Sequence, residues 1–138
     1  MVIKKMTVMG YRKVLWIYIA IIFILAVLNI NGAGIVLNNT HILSIRLDYL
    51  VHFAIFIPLM WLVCNAYGVS FKLNVGKAVL WVVFGLVLAW LSEGVQYFIP
   101  YRAFNINDLV ANTIGVLLGA VFFIFPVGQG IVHHGLHR

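Results

Sequence analysis

Apolar residues gather into four long stretches along this chain: Val14 to Ile30, Tyr49 to Val69, Ala78 to Ile99 and Leu109 to Val127. Short polar intervals separate them. Each stretch is long enough for a helix to cross a hydrocarbon core of about 30 Å, which takes roughly 17–25 residues. The pattern predicts an all-α membrane protein: a compact bundle of four transmembrane helices, forming one domain over residues 1–138 with no room for a soluble domain. We see no internal repeat, low-complexity tract or linker. Composition agrees. Hydrophobic residues make up 64% of the chain, charged residues only 9%, and the mean hydropathy is +1.11. Soluble domains usually carry about 25% charged residues, so a water-soluble globule is excluded.

The formal charge of +6 would suit a nucleic-acid binder, but its distribution does not. Lys4, Lys5, Arg12 and Lys13 precede the first stretch, Lys72 and Lys77 lie between the second and third, and Arg138 ends the sequence. In a four-span topology these fall on one side, leaving Arg46 and Arg102 on the other. The positive-inside rule then predicts cytoplasmic termini, with the first and third loops facing outward. Short cationic segments flanking membrane spans are not a nucleic-acid surface. The basic start and apolar run also resemble a signal peptide, with Gly32-Ala33-Gly34 as a weak cleavage site. An uncleaved helix is the expectation, because removal would leave an odd number of spans. Cys64 is the single cysteine, has no partner for a disulfide or metal spacing, and is expected to pack inertly. Asn38-Asn39-Thr40 matches the glycosylation pattern by accident of composition. His133, His134 and His137 are read as part of a flexible cytoplasmic tail.

Against this apolar background the three carboxylates stand out: Asp48, Glu93 and Asp108. A carboxylate in hydrocarbon is costly and usually faces a bundle interior or a wet cavity with a task to perform. At 1.5 Å per residue, His52 lies about 6 Å inside the outer end of the second helix. Glu93 lies about 10 Å and Gln96 about 6 Å below the end of the third, and Asn112 about 6 Å inside the fourth. Three helices therefore bring polar groups to one level in the outer half of the membrane. Asp48 with His52, and Asp108 with Asn112, are spaced i,i+4 and share a face. Ala111, Gly115 and Gly119 continue that face as a small-xxx-small stripe, and Gly85 and Ala89 lead up to Glu93 in the same way. Arg102, in the short loop between Glu93 and Asp108, is placed near the cluster. There it either pairs with a carboxylate or holds a ligand's phosphate or carboxylate through its planar fork.

A structural role competes at several positions. Gln96, Asn112 and Thr113 also serve as ties between helices, at roughly 0.6 kcal/mol per hydrogen bond. Asp48 and Asp108 suit helix N-caps. Histidine at position 52 suits a neutral, satisfied ring. Glu93 is different: in mid-helix it needs a cation, a proton or water.

The same residues resemble the VanZ-like family of small bacterial membrane proteins. The matching elements are Asp48-Tyr49-Leu50-Val51-His52-Phe53, Glu93-Gly94-Val95-Gln96, Arg102 through Leu109, and Ala111-Asn112-Thr113-Ile114-Gly115. In order and spacing they look like the family's D-x3-H, E-x2-Q, R-x5-D and N-x2-G elements, and they cover roughly residues 48 to 119. The departure is Asn105, where the common family form R-x-F-D-x-x-D has aspartate, leaving one fewer carboxylate. The resemblance implies a multi-pass protein of the bacterial cytoplasmic (inner) membrane, linked to the cell envelope. The name-giving member is associated with resistance to the lipid-tailed glycopeptide teicoplanin, but no reaction is settled for the family.

Two functions follow from the residues. In the first, Asp48, His52, Glu93, Gln96, Arg102, Asp108 and Asn112 form an outward-facing site for an amphiphile: a lipid headgroup, a lipid-linked wall precursor or a lipoglycopeptide. Membrane lipids are then the partners, and glycopeptide tolerance is a possible consequence. In the second, the protein is an intramembrane hydrolase or transferase acting on a phosphorylated lipid, with His52 and Glu93 as acid–base groups and Arg102 neutralising the phosphate. Asp48, His52, Glu93 and Asp108 are also acceptable ligands for a divalent cation. Without a spacing as diagnostic as that of a zincin helix, no metal ligand or cofactor is assigned. A carrier is disfavoured because the ionisable groups cluster in one half of the membrane, with no inner relay.

Overall fold

The computed structural model describes residues 7–28, 39–42, 45–70 and 72–124. Four helices account for most of them: α1 (Val8–Val27), α2 (Leu47–Tyr67), α3 (Val75–Gln96) and α4 (Ile106–Phe123). All four are long and apolar enough to cross a membrane. Gly32-Ala33-Gly34, Asn38 and the three C-terminal histidines lie outside the described residues.

Each helix starts two to six residues before the apolar stretch that predicts it and ends two to four residues before the stretch does. Capping sets the starts of α1, α3 and α4, while α2 begins after Arg46 without a side-chain cap. A capped helix begins where a side chain can satisfy its orphan N–H groups, not where hydrophobicity begins. Thr7 accepts from Gly10 N, Asn74 from Lys77 N, and Asn105 from Asn107 N. Asp48 and Asp108 are consequently not N-caps. They lie in the first turns of α2 and α4, where the positive end of the helix dipole favours a carboxylate. At its other end, α2 stops at Gly68, whose φ of 59° is the left-handed conformation glycine adopts without strain.

Between α1 and α2 the structure adds an element that the hydropathy pattern does not predict. Strands β1 (His41–Ile42) and β2 (Ile45–Arg46) pair antiparallel, with His41 opposite Arg46 and Ile42 opposite Ile45. Strands of two residues are too short to leave a period in the sequence.

Long-range hydrogen bonds fix the helix directions. Arg12 Nε donates to Ala66 O, joining the start of α1 to the end of α2, while Tyr18 Oη reaches Ile55 O near mid-span. Cys64 Sγ donates to Phe123 O, so α2 and α4 end together and run parallel. Arg12 and Lys77 both cover the C-terminal end of α2, where Lys77 Nζ donates to Tyr67 O at 2.6 Å. Cations there complement the negative end of the dipole. All three carboxylates lie at the opposite end.

Helices α2 and α4 pack closest, and the glycine stripe explains why. A Cβ at position 115 would fall 2.3 Å from Phe53 O, and one at 119 would fall 2.8 Å from Ile57 O. Only a bare glycine backbone admits such an approach. Gly85 does the same for Met60, and with Ala89 and Glu93 it forms the buried face of α3. The core is otherwise aliphatic and aromatic, built around Leu15, Phe56, Leu59, Met60, Val63 and Val116. Trp16, Ile17, Leu80, Trp90 and Phe122 point outward from the spans, as lipid-facing residues do.

Candidate functional site

Three helices deliver one ionisable side chain each to the same point. His52 comes from the second turn of α2, Glu93 from near the end of α3, and Asp108 from the first turn of α4. Taking one ligand-type atom from each, all three atoms lie within 4.8 Å of one another. Glu93 is fully buried and Asp108 is 8% exposed, while 27% of the His52 side chain remains accessible. The histidine is therefore the open side of the group.

The surrounding contacts hold these three in place. His52 Nδ1 donates to Asn112 Oδ1 at 3.1 Å. A side-chain carbonyl only accepts, so in this bond Nδ1 carries a proton; Nε2, which faces Asp108, is bare in the neutral ring and protonated in the imidazolium. Nε2 stands 3.7 Å from Asp108 Oδ2. Glu93 Oε1 accepts from the backbone N–H of Asn105 at 2.8 Å, and Oε2 accepts from Gln96 Nε2 at 3.2 Å. Asp108 Oδ1 is buried without a hydrogen-bond partner. Gln96 and Asn112 thus support the ionisable groups directly.

Asp48 stands apart from the triplet. Arg46 grips it with two bonds, Nε to Oδ1 at 3.1 Å and Nη2 to Oδ2 at 2.5 Å, and the guanidinium also lies over the Tyr49 ring. Burial draws the Arg46 pKa down, but the hydrogen bond and charge of Asp48 outweigh it and hold the guanidinium above its ordinary value. Tyr49 Oη accepts from Asn107 Nδ2, linking this pair to the start of α4. Arg102 is engaged elsewhere. Its Nη2 donates to Leu25 O and Leu28 O, and Tyr101 Oη donates to Val27 O, so this loop caps the C-terminal end of α1. Arg102 forms no hydrogen bond to a carboxylate among the described residues.

Sequence reasoning missed Arg46 and Asn105. The signal for Arg46 is its place two residues before Asp48, close enough for a bidentate pair. The signal for Asn105 is its cap identity. Its side chain starts α4 while its own N–H reaches Glu93, so one residue sets both the helix and the carboxylate. Aspartate would cap equally well. The departure from the family form therefore removes a charge beside Glu93 without removing the cap. Tyr97, Phe98, Tyr101 and Phe104 are exposed around this end, in the manner of an interfacial aromatic belt.

A sequence model described as VanZ/LLP1 matches residues 13–127, which contain α2, α3, α4 and most of α1. No curated protein and no solved structure is matched by the chain.

Proposed function

The chain belongs to the VanZ/LLP1 family, and on that premise we propose that it is an envelope factor of the bacterial cytoplasmic membrane that binds the polar head of an amphiphile at the His52–Glu93–Asp108 end of the bundle. In this reading both termini are cytoplasmic, because the basic end of the bundle then lies inside, and the carboxylate end faces the outer leaflet. The observation that supports it best is a buried acidic group with one accessible member, His52, in an otherwise apolar bundle. Such groups persist in membranes where they serve a ligand or ion path.

The committed arginines refine the ligand. Arg46 is spent on Asp48 and Arg102 on α1, so the protein side chains around the triplet are mostly acceptors. Acceptors recognise a headgroup rich in O–H and N–H donors. Sugar- and amine-bearing heads, such as those of a lipid-linked wall precursor or a lipoglycopeptide, meet that requirement. Teicoplanin tolerance would follow from binding of the second kind. A second reading, an intramembrane hydrolase or transferase, draws support from His52, which is held by Asn112 at Nδ1 and, in its neutral form, presents Nε2 as a base beside Asp108.

Native mass spectrometry of gently extracted protein tests the proposal. The expected result is a lipid-linked or amine-bearing amphiphile retained by the wild type and lost in Glu93→Gln. Retention of bulk phospholipid alone, or equal retention by the variant, refutes it.

A further inference from the structure

We propose that His52, Glu93 and Asp108 bind a divalent first-row cation, with zinc the best match. The inference goes beyond the headgroup reading and does not depend on it. It rests on the relation of His52 to Asp108. In the neutral ring with its proton on Nδ1, Nε2 presents a lone pair toward Asp108. Nε2 and Asp108 Oδ2 stand 3.7 Å apart, too far for a hydrogen bond and within reach of an ion pair only when the ring is doubly protonated. Two ligands of one tetrahedral zinc, each about 2.0–2.2 Å from the ion, stand about 3.4 Å apart. A few tenths of an ångström would therefore bring this pair to ligand spacing, and the whole group, within 4.8 Å, would close by about an ångström more to include Glu93.

The second observation is Asp108 Oδ1. It is a buried carboxyl oxygen without a hydrogen-bond partner among the described residues, on a residue 8% exposed. Its neighbour Glu93 adds another carboxyl group within the same 4.8 Å group. In a membrane interior these carboxyl groups call for a counter-charge close by, and the hydrogen bonds of the two arginines at this end go to Asp48, Tyr49 and α1 rather than to them. The remaining contacts resemble those that orient metal ligands. Asn112 fixes the imidazole, and the Asn105 N–H and Gln96 each hold one Glu93 oxygen while leaving it a free lone pair. One imidazole and two carboxylates from the protein leave a fourth position, as at reactive zinc sites. That position lies toward the accessible side of His52 and suits a water or a headgroup oxygen.

The test uses the full chain in mild detergent, with His133, His134 and His137 replaced by glutamine so that the tail does not compete. Chelator-stripped protein is dialysed against Zn2+, and the bound metal is counted by mass spectrometry. We expect about one zinc per chain, with affinity weakened about tenfold or more in His52→Ala, Asp108→Asn and the supporting variant Asn112→Ala, and unchanged in Lys72→Ala, between α2 and α3 at the other end of the bundle. Because a variant can fail to fold, the His52 Nε2 resonance of the parent chain is followed by 15N NMR during zinc addition and should shift. Absence of stoichiometric zinc, an unmoved Nε2 resonance, or equal zinc in folded His52→Ala and Asp108→Asn overturns the inference. Lipid retention measured in excess chelator reports on the headgroup reading separately.

Discussion

Replacing Gly115 by alanine adds one methyl group at the tightest contact in the bundle. The new Cβ would lie 2.3 Å from Phe53 O and 3.1 Å from Phe56 Cβ, where real contacts of this kind almost never fall below 3.0 Å. Helices α2 and α4 must part by about 0.7 Å to relieve the first contact alone, an overpacking that costs about 1–3 kcal/mol. The damage reaches the site. Asn112 is one turn from Gly115, and its 3.1 Å bond to His52 spans the same interface. A rigid parting of that size would stretch this bond to about 3.8 Å, beyond hydrogen-bond range. Gly119→Ala is milder, with its contact to Ile57 O at 2.8 Å. Gly94→Ala is the control, because its Cβ meets nothing within 4 Å and alanine favours a helix interior by about 0.5–1 kcal/mol. Thermal unfolding in detergent, followed by circular dichroism, should rank Gly115→Ala below Gly119→Ala, with Gly94→Ala at or above the wild type. A Gly115→Ala protein as stable as Gly94→Ala would refute the close approach of α2 and α4 and the site built on it.

Cysteine labelling of intact cells should reach positions in 101–107 from outside and spare positions 72 and 77; the reverse pattern would invert the bundle. Cys64, buried and bonded to Phe123 O, should contribute little background. Arg102→Ala frees the Leu25 and Leu28 carbonyls and should destabilise the protein by about 1–3 kcal/mol, read as earlier proteolysis or unfolding of α1. Retention of full stability would show that this arginine is free for a ligand. Glu93→Gln should leave stability within about 1–2 kcal/mol of wild type while abolishing amphiphile retention; loss of the folded protein instead would make Glu93 a structural tie.

Much of this arrangement was legible because a membrane simplifies the code. Hydropathy alone located the four spans, and the positions of Glu93, His52 and Asp108 along them gave matched depths once the helices were taken to alternate in direction. The small-residue stripe through Gly115 and Gly119 indicated which face of α4 turns inward. Helix ends were less legible, since the cap residues Thr7, Asn74 and Asn105 lie outside the apolar runs and are chosen by hydrogen bonding rather than by hydropathy. The ladder between β1 and β2 was invisible for want of length.

The two arginines mark where depth reasoning stops. Both Arg46 and Arg102 lie at the carboxylate end, and the sequence offered the one in the loop between Glu93 and Asp108 either to a carboxylate or to a ligand. Proximity along the chain is a poor guide here, because a guanidinium goes to the strongest unsatisfied acceptor that its stem can reach. Arg46 is two residues from Asp48 and can meet both oxygens in a bidentate fork. Arg102 meets the Leu25 and Leu28 carbonyls at the end of α1, where the negative end of the helix dipole lies. Those carbonyls belong to backbone more than 70 residues away, so no local spacing announces them. The consequence bears on chemistry. With the arginines' hydrogen bonds directed to other acceptors, Arg46 and Arg102 act on Asp108 and Glu93 only through their charge at longer range. Direct compensation therefore comes from a proton, from His52 or from an ion, and the choice among these decides what the site binds.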